Sequence, residues 1–136
     1  MTKQDLQGYK HIKAEIRQIE AEIRELDARV YSPRTPHLTG MPGAASTERG
    51  SAQERAATEL FELKETYEAK IRELLRKKRW IEQALDALPD PQMRMIMRGR
   101  YIRLYSWARI SREMNYCESA VKKKHAKALD MLKCTL

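Results

Sequence analysis

Residues 88–132, LPDPQMRMIMRGRYIRLYSWARISREMNYCESAVKKKHAKALDML, decide the fold of this 136-residue chain. Leu88-Pro89-Asp90-Pro91 closes one helix and opens another. Pro89 cannot continue a helix, Asp90 can cap the next one, and Pro91 suits its first position. Met93, Ile96, Met97 and Tyr101 then recur at helical spacing. Ser106 is a good N-cap for a second short helix, which carries Trp107, Ile110 and Met114 on one face. Asn115 tolerates the left-handed conformation that ends a helix, and Tyr116-Cys117 completes a three-residue turn. A third helix starts near Glu118, with Val121, His125, Ala128 and Leu132 inward. With Cys117 as its cap, Tyr116 and Val121 fall at the two positions of a hydrophobic staple.

Two helices joined by a three-residue turn, the second one basic, form the helix-turn-helix pattern. That pattern predicts a duplex-DNA reader. The outward face of the third helix is expected to show Glu118, Ser119, Lys122, Lys123 and Ala126, the N-terminal ones reaching base edges. Arg112, Lys124 and Lys127 suit phosphate contacts, which add affinity without sequence information. Ser106 and Trp107, opening the second helix, are counted with the DNA-binding set. At helical spacing, Trp107 and Tyr101 read as core before they read as base-stacking residues.

Charge agrees with this assignment. Residues 89–136 hold 11 Lys+Arg against 4 Asp+Glu, whereas residues 1–88 hold 16 against 15. Nearly all of the net +8 therefore lies in the last third, the distribution expected for nucleic-acid binding.

Upstream, Ile12, Ile16, Ile19, Ile23, Leu26 and Val30 alternate steps of four and three, a heptad seam that Leu6 and Tyr9 extend. Thr2 and Asp5 suit its start, and Pro33 ends a helix of about 28 residues, roughly 42 Å. Residues 31–50, YSPRTPHLTGMPGAASTERG, are read as a long connection. It is either a flexible linker or, given Leu38 and Met41, a docking segment. Ser51-Ala52-Gln53-Glu54 matches a capping box. Leu60, Leu63, Tyr67, Ile71, Leu74, Ile81, Leu85 and Leu88 then mark a second seam, interrupted at Lys78. That helix would run about 37 residues, roughly 55 Å. The two seams predict either an antiparallel hairpin or pairing with another copy. Arg76-Lys77-Lys78-Arg79 is a solvated basic run or a further phosphate contact.

The expectation is an all-α chain: residues 1–88 a coiled-coil hairpin that promotes self-association, residues 89–136 the DNA-binding bundle. Its partners are double-stranded DNA and further copies through the coiled coil, with RNA polymerase as another candidate. No apolar run approaches the ~20 residues of a membrane span, the first ten residues lack a signal-peptide core, and a cytoplasmic setting follows as the default. His11, His37 and His125 lie on different elements, no Gly-rich phosphate loop occurs, and Cys117 and Cys134 fit no metal-ligand spacing. Neither an enzyme, a metal site nor a cofactor is expected.

Leu88-Pro89, Arg100-Tyr101-Ile102, Ser106-Trp107, Ile110, Met114, Tyr116, Val121-Lys122 and Ala128 resemble region 4 of bacterial sigma factors over about 45 residues. The sequence departs from that pattern at Leu104 and Asn115, where Gly is usual, and at Cys117, where Ser or Thr usually caps. Over its length the chain resembles the ArpU/RinA-like regulators of phages and prophages, through Leu38-Thr39-Gly40-Met41-Pro42, Arg100-Tyr101-Ile102, Ser106-Trp107 and His125-Ala126-Lys127-Ala128-Leu129. The resemblance implies activation of late or packaging genes. Two other functions stay open from the residues alone: a DNA-packaging recognition subunit of the small-terminase kind, and a sigma-like protein that binds RNA polymerase.

Overall fold

The computed structural model describes residues 1–31 and 44–134, with side chains from residue 51 onward in the second stretch. The described residues form five helices: α1 (Lys3–Tyr31), α2 (Ala44–Asp86), α3 (Pro91–Tyr101), α4 (Trp107–Met114) and α5 (Glu118–Lys133). The all-α expectation holds.

α1 begins where its capping signal predicts. The Thr2 amide donates to the Asp5 carboxylate at 2.9 Å, and the Asp5 amide donates back to Thr2 Oγ1 at 3.3 Å. These hydrogen bonds hold the Asp5 carboxyl below the usual carboxylate range. The start of α2 differs from expectation. Ser51 lies inside the helix, which begins at Ala44. Residues 44–49 are mostly good helix formers, and the single Gly50 costs only about 1 kcal/mol of propensity. The expected connection thus loses residues 44–50 to α2, and its segment 32–43, with Leu38 and Met41, lies outside the described residues.

The chain divides into two compact units, residues 15–71 and residues 1–14 with 72–136. In the first, α1 and α2 run antiparallel. Glu15 pairs with Lys70 at 2.7 Å, and Tyr67 donates to Glu20 at 3.1 Å. Ile16 and Leu60 are buried. The two seams therefore face each other within the chain as a hairpin, with most of their other residues half-buried.

In the second unit the first turns of α1 and the last turns of α2 join the three short helices. Leu6, Tyr9, Ile81, Leu85 and Leu88 form one core with Met97, Tyr101, Ile102, Ala128 and Leu132. Fully burying a side chain of this size contributes ~1.5–3 kcal/mol. A boundary at residue 88 runs through this core. Composition places the boundary there because the charge changes at 88, whereas the apolar contacts do not. The Met1 ammonium donates to the Leu132 carbonyl at 3.0 Å, fixing the start of α1 on the last turn of α5. Lys77 crosses α1 at Gly8, where a Cβ would stand 2.9 Å from Lys77 Cε. Arg98 of α3 reaches back to Asp86 at 3.2 Å and Glu82 at 3.6 Å on α2. A smaller cluster of Ile96, Ile110 and Val121 knits α3, α4 and α5 together, with Tyr105, Trp107 and Met114 packed against it.

Candidate nucleic-acid interface

Each cap of the three short helices is where the sequence puts it. Asp90 accepts from the Gln92 amide at 2.9 Å, with Pro91 first in α3. Ser106 accepts from the Arg109 amide at 3.2 Å. Asn115 ends α4 at φ 56°, ψ 35°, and residues 115–117 make the three-residue turn. Leu104 takes φ 60°, so the connection before α4 does require the backbone that favours Gly, and Leu supplies it at a cost. Its neighbours brace it: the Tyr105 amide donates to the Gly99 carbonyl at 2.9 Å, and Arg100 donates to the Tyr105 carbonyl at 3.1 Å. Cys117 stands at the N-cap of α5 without a side-chain capping bond. Its Sγ lies 3.2 Å from Ser119 Oγ instead, a hydrogen bond that draws the thiol below its ordinary range.

The two positions of the expected staple differ in burial. Val121 is buried, but Tyr116 is 41% exposed, and its hydroxyl accepts from Gln92 Nε2 at 2.9 Å. Lys124 lies over its ring at 5.0 Å. Tyr116 therefore ties the turn to α3, and Ser111 Oγ donates to its carbonyl from α4.

On α5 the buried residues are Val121, His125, Ala128 and Leu132. At about 100° per residue, the side opposite this stripe carries Ser119, Lys123, Ala126 and Lys127, all exposed. Lys122 and Lys124 fall on the two flanks. Lys122 is 5.9 Å from the Trp107 ring, and Lys124 is 5.0 Å over the Tyr116 ring. Glu118 is exposed at the first turn of α5, and Arg112 is exposed near the end of α4. Ser106 is exposed but its hydroxyl is engaged as a cap. Arg112, Lys123 and Lys127 form no ion pair with a described residue. Arg109 is committed locally, 3.7 Å over the Tyr105 ring and 3.4 Å from Glu113.

Trp107 is half-buried. One side packs toward the small cluster and meets the His125 ring edge-on at 4.8 Å. Arg100 lies over the indole at 4.5 Å. His125 itself is buried, stacked on Tyr101, with 2.6 Å between Nε2 and the Tyr101 hydroxyl. Burial, then the charges of Lys3 and Arg100, push its pKa down to about 4. The ring is thus neutral at pH 7, and Nε2 can accept from Tyr101, whose hydroxyl burial keeps protonated.

Sequence reasoning missed Arg100 as part of this surface. Arg100 stands within a motif, but only the α3–α4 turn shows it over Trp107. Nothing local to Lys3 signals that its charge bears on His125, because the packing of α1 on α5 brings this about. The unit holding the three short helices carries 19 Lys+Arg against 8 Asp+Glu, net +11, and residues 15–71 carry 8 against 11, net −3. The structure thus sharpens the charge separation, because residues 1–14 and 72–88 add further cations to the basic side.

Among the described residues no helix is long and apolar enough to cross a membrane, and no His, Cys, Asp and Glu group could hold a metal. No curated protein and no solved structure matches the chain. Residues 46–133, from the first turn of α2 to the last residue of α5, match the family described as "Protein of unknown function (DUF1492)", and the chain belongs to that family.

Proposed function

We propose that this protein is a sequence-specific duplex-DNA-binding regulator of transcription, with α5 as its reading helix. The observation that carries this reading is α4–turn–α5. A three-residue turn with left-handed Asn115 joins two capped helices, and the second presents Ser119, Lys123, Ala126 and Lys127 away from the core. A helix entering a major groove needs an outward face of short polar and cationic side chains, with cations on both flanks to meet the two phosphate strands. Lys122 and Lys124 occupy those flanks. The likeness of Arg100-Tyr101-Ile102, Ser106-Trp107 and the α5 sequence to the ArpU/RinA-like regulators supports a phage or prophage origin. It also supports activation of late or packaging genes in a bacterial cytoplasm. Self-association is proposed through the long helices of the coiled coil, where Phe61 and Leu75 of α2 are exposed.

Selection of bound sites from random duplex DNA, with affinity followed against salt, tests the reading. An enriched motif is expected, and two half-sites a whole number of turns apart would show paired readers. Steeply salt-dependent binding without a motif would overturn sequence-specific regulation. A ring-sized mass in solution would then favour a packaging recognition subunit. Polymerase binding that survives loss of DNA affinity would favour a sigma-like partner protein.

A further inference from the structure

Within residues 15–71 the hairpin is two helices thick, too thin to enclose a core. Ile19, Ile23, Leu63, Tyr67 and Ile71 of its seams stay half-buried. A groove opens on one face of the pair, lined by Ile23 and Tyr67 and by Glu20, Arg24, Lys64 and Glu68. The antiparallel register set by Glu15–Lys70 and Glu20–Tyr67 puts the two acids at one end of this groove and the two bases at the other. On each helix the acid and the base stand four residues apart, a spacing at which opposite charges can pair. Neither pair closes. Glu20 accepts from Tyr67 instead, and Arg24, Lys64 and Glu68 form no ion pair with a described residue. On α2, Phe61, Lys64, Glu68 and Ile71 follow at steps of three and four, so they share one face. Phe61 is 64% exposed there.

The charges choose the occupant. Residues 15–71 carry a net −3, which does not suit DNA. The groove is balanced, with an acidic and a basic end, so it complements itself reversed. A two-fold axis lying across the helices turns a second copy end for end and stacks α2 on α2 and α1 on α1. Centred between Lys64 and Glu68, it sets Lys64 of one copy against Glu68 of the other. The same operation sets Phe61 over Ile71, because each lies three residues outside that pair. A two-fold axis running along the helices would instead stack acids on acids and bases on bases.

We propose that two copies of this chain pair face to face through residues 15–71, antiparallel, with Phe61 of each copy packed on Ile71 of the other and Lys64 paired with Glu68. The pairing rests on the self-association proposed above and names its surface.

Sedimentation equilibrium of the full chain over a concentration series is the test, and the wild type is expected to be a dimer. Phe61→Ala should raise the dimer Kd by roughly tenfold or more, the loss of a buried aromatic anchor. Phe61, Lys64 and Glu68 are exposed, so the helicity of each variant should match the wild type. Lys64→Glu and Glu68→Lys should each weaken the dimer, because each sets like charges against one another. Both exchanges in one chain should restore it. A dimer indifferent to Phe61→Ala, or a double exchange no tighter than the single ones, would overturn this surface and leave self-association standing. A wild type that stays monomeric at every concentration would overturn both and leave the groove to a different protein.

Discussion

His125 concentrates several pressures on one imidazole: burial, two nearby cations and an aromatic cage. Its folded pKa is about 4, against 6.5 for a free imidazole. The unfolded chain therefore binds the extra proton first as pH falls. Stability from the neutral ring is complete above pH 6.5 and is lost as pH drops toward 4, by about 3 kcal/mol. Urea melts at pH 7 and pH 4.5 should show this loss in the wild type. In His125→Phe the loss should shrink to what the carboxylates alone cause, and equal losses in both would refute the assignment. Cys117 offers a second test at this scale. A serine there could accept the backbone bond that the thiol does not make, so Cys117→Ser should raise stability by about 1 kcal/mol, read as a higher melting temperature. Side-chain capping by Asp90, Ser106 and Asn115's left-handed turn was legible in the sequence because each depends only on its neighbours. The role of Tyr116 was not, because its partners Gln92 and Lys124 lie on two other helical segments.

The elements divide the same way. The heptad seams announced α1 and α2, but the upstream start of α2 was hidden. Ser51 and Glu54 make a convincing capping box, yet the seven residues before it can also continue a helix. The period of α5 identified its buried stripe, and that stripe sorts the lysines by direction. Lys123 points away from the core, while Lys124 is turned toward Tyr116. Lys123→Ala should therefore change which base is preferred at one or two positions, with a discrimination loss of ~1–3 kcal/mol. Lys124→Ala should weaken binding to every sequence alike. Site selection repeated with each variant separates the two, and the same pattern for both would mean that direction on α5 does not assign roles.

At the scale of the molecule, the basic bundle is not self-sufficient. Its core takes Leu6 and Tyr9 from α1 and Ile81 and Leu85 from α2. A fragment of residues 89–136 would expose Met97, Tyr101, Ala128 and Leu132 to water, and a core that small is marginal. That fragment should show weak helicity and no cooperative melt by circular dichroism, in contrast to the full chain. A sharp transition in the fragment would mean that the long helices are not needed for the bundle to fold.

The bond between Met1 and Leu132 joins residues 131 apart in the chain. On a ribosome, Leu6 and Tyr9 emerge well before their partners Ala128 and Leu132. The hairpin can form while synthesis continues, yet the core of the short-helix bundle can close only after α5 has been made. The apolar start of α1 must wait until then, and this long-range closure is a slow step in folding. A nascent chain stalled before α5 would hold an exposed Leu6–Tyr9 stripe, and chaperones would find it there.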